Sequence, residues 1–199
     1  MFDARLRPII DRVVNPCASV LNRWGVSATA ITWIGFGFGL GAAVAIMFGA
    51  FTLALGLILL NRICDGLDGA VARQSTPTDF GGYLDIVLDF VFYSAIPFAF
   101  ALHAPDNALP AAFLIFSFVG TGVSFLAYAI FAEKRGISTD IRGKKSFYYL
   151  GGLTEGTETI ILLVMMCIWP SVFAYLAWGF GALCWVTTAT RIHAAMQWR

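Results

Sequence analysis

Charged side chains are scarce in this sequence. They make up 13% of its 199 residues, whereas a typical soluble domain has about 25%. Hydrophobic residues account for 59% of the chain, and the mean hydropathy is +0.78. This composition excludes an ordinary soluble domain and is typical of a protein that crosses a membrane several times.

The sequence also lacks the signs of several other classes of protein. It has no basic face with interleaved aromatic residues, so it indicates no nucleic-acid partner. The four cysteines, Cys17, Cys64, Cys167 and Cys184, show neither a CxxC nor a His-paired spacing. This pattern argues against a disulfide framework or a zinc site and favours apolar packing residues.

Six apolar stretches are present, each near the ~20 residues that a helix needs to cross hydrocarbon. They cover residues 29–48, 51–72, 80–102, 109–132, 153–170 and 172–192. In residues 1–24, apolar side chains at helical spacing face away from arginines, which predicts an amphipathic helix at the membrane surface. A short soluble cap helix is the alternative. We therefore expect an all-α polytopic membrane protein with a juxtamembrane segment (1–24) and a six-helix membrane domain (25–199).

The positions of the basic residues predict the orientation of these spans. If the six stretches cross in turn, all 13 Lys and Arg side chains fall on one side of the membrane. Cytoplasmic connections carry an excess of Lys and Arg. We therefore expect both termini to face the cytoplasm, in a prokaryotic inner membrane.

Acidic residues are concentrated where the second and third stretches meet. Five of the 12 acidic residues fall between Cys64 and Phe90, namely Asp65, Asp68, Asp79, Asp85 and Asp89. Asp65 and Asp68 share a helix face at spacing i, i+3, and Asp85 and Asp89 share one at i, i+4. The turn-forming residues between them fold the two helices back on each other. Four carboxylates can therefore converge just inside the cytoplasmic boundary.

Four carboxylates in a medium of low dielectric need a counter-charge. Two hard divalent cations, Mg²⁺ or Mn²⁺, would supply it, since they bind carboxylate oxygen and complete their coordination with phosphate and water. Arg73, one turn after Gly69, can bind a phosphate oxygen. The alternative is a structural cluster neutralised by Arg62 and Arg73, but two arginines cannot balance four or five carboxylates.

This segment resembles the signature of the CDP-alcohol phosphotransferase (phosphatidyltransferase) family. The signature reads Asp, two residues, Asp-Gly, two residues, Ala-Arg, about eight residues, Gly, three residues, Asp, three residues and Asp. Its fixed positions are filled here by Asp65, Asp68, Gly69, Ala72, Arg73, Gly81, Asp85 and Asp89. Seven residues separate Arg73 from Gly81, one fewer than the usual spacing.

The resemblance implies a homodimeric enzyme of phospholipid biosynthesis. Such an enzyme moves a phosphatidyl group from a CDP-linked lipid, with CDP-diacylglycerol as the first candidate, to a small alcohol acceptor and releases CMP. The implied ligands of two Mg²⁺ or Mn²⁺ ions are Asp65, Asp68, Asp85 and Asp89, and Asp89 is also the implied general base. The residues implied to lie against the nucleotide and the donor phosphates are Gly69, Ala72, Arg73 and Gly81.

Two further polar segments are candidates for binding the acceptor. The loop after the fourth stretch carries Arg135, Arg142, Lys144 and Lys145. These side chains would bind an acceptor or donor phosphate, or alternatively anionic lipid. Glu155 and Glu158 lie at the entrance to the fifth stretch, and intramembrane acids of this kind usually serve a function. They would bind a polyol or an ammonium acceptor, or pair with the basic loop.

Two other functions would also use carboxylates inside a membrane. A divalent-cation transporter would need polar groups that continue to the far side, where this sequence offers little beyond His103 and Asp106. An intramembrane prenyl-diphosphate transferase binds its substrate through Asp-rich helices and magnesium, but its two acidic motifs lie far apart in sequence. Here the motifs form one hairpin, which favours the CDP-alcohol transferase.

Overall fold

The computed structural model describes residues 3–136 and 153–197, with side chains from residue 11 onward. Within these ranges the chain forms seven α-helices and no strand. The helices are α1 (Asp3–Arg23), α2 (Ala28–Met47), α3 (Phe51–Gln74), α4 (Asp79–His103), α5 (Ala108–Lys134), α6 (Gly156–Ile168) and α7 (Phe173–Met196). Single 3₁₀ turns at Pro105–Asn107 and Pro170–Val172 precede α5 and α7.

Helices α2 to α7 occupy the six predicted apolar stretches. Four of the described helices, α2, α4, α5 and α7, are long and apolar enough to cross a membrane. Helix α3 contains Arg62, Asp65, Asp68 and Arg73, which lower its hydropathy. Helix α6 has 13 residues, a length of about 20 Å at ~1.5 Å per residue. The described chain is therefore all-helical with four candidate membrane spans.

Local signals in the sequence fix several helix ends. The turn between α3 and α4 ends at Thr78, whose Oγ1 accepts a hydrogen bond of 3.1 Å from the backbone N–H of Gly81. Thr78 is therefore the N-cap of α4. At the other end of α3, Gly49 has a φ of +75°, a conformation that glycine adopts without steric cost. The chain can therefore reverse between α2 and α3 within a few residues.

The glycines of α2 allow its close contact with α3 and α4. A Cβ atom at Gly35 would lie 2.7 Å from Cβ of Cys64 on α3, and one at Gly39 would lie 2.7 Å from the ring of Phe92 on α4. Small residues at such spacing let helix backbones approach. Gly35 and Gly39 therefore form a packing face that brings α2 against the two acidic helices.

An aromatic stack closes the end of the bundle opposite to the acidic residues. The ring of Phe100 on α4 stacks on Phe51 of α3 and Phe173 of α7, with centroid distances of 5.7 and 4.4 Å. Phe100 and Phe173 are fully buried. Buried aromatic pairs of this kind contribute packing energy beyond their area. The stack leaves uncovered the halves of α3 and α4 that carry the aspartates, and these halves line a cleft.

Candidate functional site

The four aspartates predicted to bind metal line one cleft between α2, α3 and α4. The cleft encloses about 250 Å³, part of it open to solvent. Its wall contains Asp65 and Asp68 from α3, Asp85 and Asp89 from α4, and Thr32, Gly35, Phe36, Asn61, Arg62 and Leu88. Asp79, the fifth acid of the segment, is an exposed residue in the first turn of α4.

The antiparallel arrangement of α3 and α4 explains why these carboxylates meet. Asp65 lies nine residues before the end of α3 at Gln74, a distance of about 14 Å along the axis. Asp89 lies ten residues after the start of α4, or about 15 Å along its axis. The two acids therefore reach the same depth once the turn at residues 75–78 reverses the chain.

Asp68 is the least exposed of the four. It is 5% exposed, and its Oδ2 accepts a hydrogen bond of 2.6 Å from the hydroxyl of Thr32 on α2. A buried carboxylate needs such a partner because burial removes its water. The sequence did not single out Thr32 as a site residue.

Among the residues that the structure describes, Arg62 is the basic side chain in the wall of this cleft. Its guanidinium forms an ion pair of 2.7 Å with Oδ1 of Asp89 and approaches Oδ2 of Asp65 at 3.7 Å. The sequence indicated a role for Arg62 only in the alternative interpretation, in which Arg62 and Arg73 neutralise a structural cluster of acids. The structure brings it to two of the four carboxylates but does not bring Arg73 to the cleft.

The donor set fits a hard divalent cation in its chemistry, because all four acidic groups are carboxylates. Within the described residues, no three His, Cys, Asp or Glu side chains are arranged as a metal-binding group. The four carboxylates line the cleft, and Asp68 and Asp89 are bonded to Thr32 and Arg62. Each of these bonds uses one carboxylate oxygen, so the second oxygen of Asp68 and of Asp89 would be the one that binds an ion.

The residues predicted to contact the nucleotide lie along the end of α3 and the start of α4, outside the cleft wall. Arg73 is about half exposed and pairs at 3.2 Å with Asp11 of α1. Its guanidinium also covers Gly69, where a Cβ atom would lie 3.2 Å from it. Gly81 lies beside the cap formed by Thr78, and Ala72 is half-buried.

A second and larger cleft adjoins the first. It encloses about 960 Å³, including space open to solvent, and shares Asp85 and Asp89 with the first cleft. Its polar wall contains Thr121, Thr154, Glu155, Thr159 and Arg191, and its apolar wall contains Ile86, Phe90, Tyr93, Phe118 and Phe125. One face of Asp85 and Asp89 therefore borders a pocket large enough for a small polar molecule.

Arg191 of α7 lies in the wall of this second cleft and was not predicted as a site residue. It is 5% exposed, donates a hydrogen bond of 2.8 Å to the carbonyl of Thr121 and lies over the ring of Phe125. A buried arginine near the end of an apolar helix is a sign of function. The sequence shows that Arg191 lies at the end of the sixth apolar stretch, but it does not show the burial of its side chain.

Glu155 and Glu158 form the N-terminal cap of α6. The side chain of each residue bonds the backbone of the other, as in a capping box. Glu155 is also 4% exposed and lines the second cleft. Arg135, at the end of α5, is exposed, whereas the predicted acceptor residues Arg142, Lys144 and Lys145 lie outside the described residues.

The chain is similar to proteins of one family over nearly its whole length. A family model described as CDP-alcohol phosphatidyltransferase matches residues 26–190. Inner membrane protein YnjF of Escherichia coli is 51% identical over 193 residues, which cover 96% of this chain and 94% of that protein.

Solved structures show the same fold. Phosphatidylinositol phosphate synthase of Mycobacterium tuberculosis with CDP-DAG bound has a TM-score of 0.67 and 23% identity, with 92% of each chain covered. The same synthase in complex with manganese and citrate has a TM-score of 0.66 and 22% identity, covering 90% of this chain and 87% of that one. With its apolar helices and its motif, this integral membrane protein belongs to the CDP-alcohol phosphatidyltransferase family of transferases.

Proposed function

We propose that the protein transfers a phosphatidyl group from a CDP-linked lipid, with CDP-diacylglycerol as the first candidate, to a small alcohol acceptor. The observation that carries this proposal is the cleft in which Asp65, Asp68, Asp85 and Asp89 face one another. The family match supports the reaction class, and the CDP-DAG bound to the similar synthase supports the donor. Polar groups beside Asp85 and Asp89 support an acceptor pocket in the second cleft.

The proposed site would hold two divalent cations, Mg²⁺ or Mn²⁺, on its four aspartates. The manganese in a complex of the similar synthase supports this assignment. When bound, such ions polarise a diphosphate and stabilise a phosphate leaving group. The protein's own contribution is the carboxylate set, with Thr32 orienting Asp68 and Arg62 contacting Asp89.

Asp89 would act as the general base of the transfer. The acceptor oxygen forms a bond to the lipid-bearing phosphorus, and the bond from that phosphorus to the oxygen of CMP breaks. The acceptor's hydroxyl proton passes to the Asp89 carboxylate, and CMP leaves with the bonding electron pair. Asp89 lies on the wall shared by both clefts, which is the position that a base between donor and acceptor requires.

The second cleft would bind the acceptor. Arg191 supplies a positive charge for an anionic group, and Glu155 supplies a carboxylate for hydroxyl or ammonium groups. Glu158, Arg135, Arg142, Lys144 and Lys145 remain proposed acceptor residues. Gly69, Ala72, Arg73 and Gly81 remain the proposed contacts of the nucleotide and the donor phosphates.

In the proposed arrangement all six helices from α2 to α7 cross the membrane and α1 lies along its cytoplasmic surface. Both termini and the carboxylate cleft would then face the cytoplasm of a prokaryotic inner membrane. The cleft's depth of about 15 Å from the helix ends would let a donor place its diphosphate among the aspartates while its acyl chains stay in hydrocarbon. A homodimer is also proposed, from the family resemblance.

The decisive experiment is acceptor-dependent release of CMP by the purified protein with Mn²⁺ or Mg²⁺, CDP-diacylglycerol and a panel of alcohols. We expect Asp89→Asn to lower the rate by at least about 100-fold, the scale of a lost general base. Asp79→Asn is the matched control, because Asp79 is exposed and outside the cleft. It should keep wild-type activity. Wild-type protein that releases no CMP with any acceptor, or equal loss in both variants, would refute the proposal.

A further inference from the structure

Arg62 is held in the cleft by more than its acidic partners. Its Nε donates a hydrogen bond of 2.7 Å to Oδ1 of Asn61, and Nη1 donates one of 3.1 Å to the hydroxyl of Tyr93. The guanidinium carbon also lies 4.7 Å from the ring centroid of Phe92 and 5.4 Å from that of Tyr93. Rings at these distances attract a guanidinium. Three neutral side chains therefore contact the guanidinium in addition to the carboxylates.

Asn61, one of these supports, is itself fixed. Its side chain is 4% exposed, and Nδ2 donates a hydrogen bond of 2.8 Å to the carbonyl of Gly35 on α2. Phe92 is 1% exposed in the bundle core. The guanidinium of Arg62 is thus anchored to α2 and α4 through well-packed groups, and its side chain is only 11% exposed.

The anchored guanidinium contacts Asp89 through a single oxygen. The pair joins Nη2 to Oδ1 at 2.7 Å, so it does not use Oδ2. A charge-assisted hydrogen bond of this length restricts rotation of the carboxylate. A catalytic group must be held close to its productive geometry, and a misplacement of about 1 Å can cost ~100-fold in rate.

We propose that Arg62 is a positioning residue for Asp89, an inference that rests on the proposed function. The fixed guanidinium holds one carboxylate oxygen of Asp89 and so orients the other toward the reacting groups. Arg62 acts through Asp89 and contributes no contact to substrate. Its charge also sits beside two proposed ion ligands, Asp65 and Asp89, where it repels a divalent cation.

The test replaces Arg62 by Gln, which removes the charge, and by Lys, which keeps the charge without the planar fork. For Arg62→Gln we expect kcat to fall about 10- to 100-fold, while KM for the CDP-lipid changes less than about threefold. Mn²⁺ affinity, measured by electron paramagnetic resonance of free Mn²⁺, should not weaken, because a repelling cation has been removed. Arg62→Lys should recover part of kcat.

A purely structural role predicts a different pattern. Collapse of the cleft would lower Mn²⁺ affinity, kcat and thermal stability together, and that result would overturn the inference. So would an Arg62→Gln enzyme with kcat within about twofold of wild type. If Arg62→Gln fails to fold, Tyr93→Phe tests the positioning role of Arg62 instead. It removes the hydroxyl that supports the guanidinium, and it should lower kcat while Mn²⁺ affinity and KM for the acceptor are retained. Wild-type protein that releases no CMP would instead refute the proposed function.

Discussion

At the scale of single residues, Thr32 links a helix without acids to the carboxylate cleft. Its hydroxyl bonds Asp68 at 2.6 Å, and a side chain that orients a metal ligand typically contributes 10- to 100-fold to affinity or activity. We expect Thr32→Val to lower Mn²⁺ affinity about tenfold, measured by titration of the detergent-solubilised protein. Thr52→Val, an exposed substitution at the far end of α3, is the control. Equal affinity in both variants would contradict an orienting role for Thr32.

The aspartates could be predicted from the sequence because helical spacing and one turn determine which of them share a face. Thr32, Asn61 and Arg62 could not be assigned in this way. Thr32 and Asn61 gain their roles only through contact between α2 and α3. The position of Arg62 on α3, near the acids, could be predicted, but the sequence did not show which acid it pairs with. Partner choice at this scale depends on packing between elements.

At the scale of helices, the contact of α2 with α3 depends on Gly35. A methyl group there would approach Cβ of Cys64 at 2.7 Å, and such an atom cannot move without its backbone. We therefore expect Gly35→Ala to destabilise the protein by about 1–3 kcal/mol, as overpacking usually does, and to lower its Tm in a thermal unfolding assay.

Gly37→Ala is the matched control on the same helix. A Cβ atom at Gly37 would meet nothing within 4 Å, and alanine favours a helix over glycine by up to about 1 kcal/mol. This variant should keep or raise Tm. If both variants behaved alike, the close approach of α2 and α3 would not limit stability.

The helices themselves could be predicted well from hydropathy, and their ends less well. The fifth stretch was predicted at 153–170, whereas α6 begins at Gly156 because Glu155 and Glu158 form a capping box in front of it. The motif of acid, two residues, acid was interpreted as a possible acceptor site, and its role as a helix cap depends on backbone geometry. Thr78, by contrast, lies in a turn-forming segment, where a threonine side chain commonly caps the helix that follows.

At the scale of the whole molecule, the positions of Lys and Arg predict an orientation that labelling can test. In a Cys17→Ser background, Thr76→Cys marks the turn between α3 and α4, and Asp106→Cys marks the connection of α4 to α5. Both positions are exposed. An impermeant maleimide should label Asp106→Cys in intact spheroplasts and Thr76→Cys only after permeabilisation. The reverse pattern would contradict the proposed orientation.

Contacts over long sequence distances are the part of the molecule that the sequence could not predict. Asp11 of α1 pairs with Arg73 of α3 across 62 residues, and Ser19 of α1 bonds Gln74. Exposed ion pairs produce no periodic pattern in the sequence, because water solvates each of the two charged side chains equally well when it is unpaired. The predicted amphipathic character of α1 therefore gave no indication that this helix docks at the end of α3.

The two clefts share Asp85 and Asp89 as a common wall. Under the proposed reaction, a donor on one side and an acceptor on the other would meet only across these two carboxylates. When the larger cleft holds no acceptor, the same wall faces solvent, and water becomes the competing nucleophile for the same phosphorus. The molecule that fills the larger cleft would thus supply the attacking oxygen and, by displacing water, also protect the lipid donor from wasteful hydrolysis.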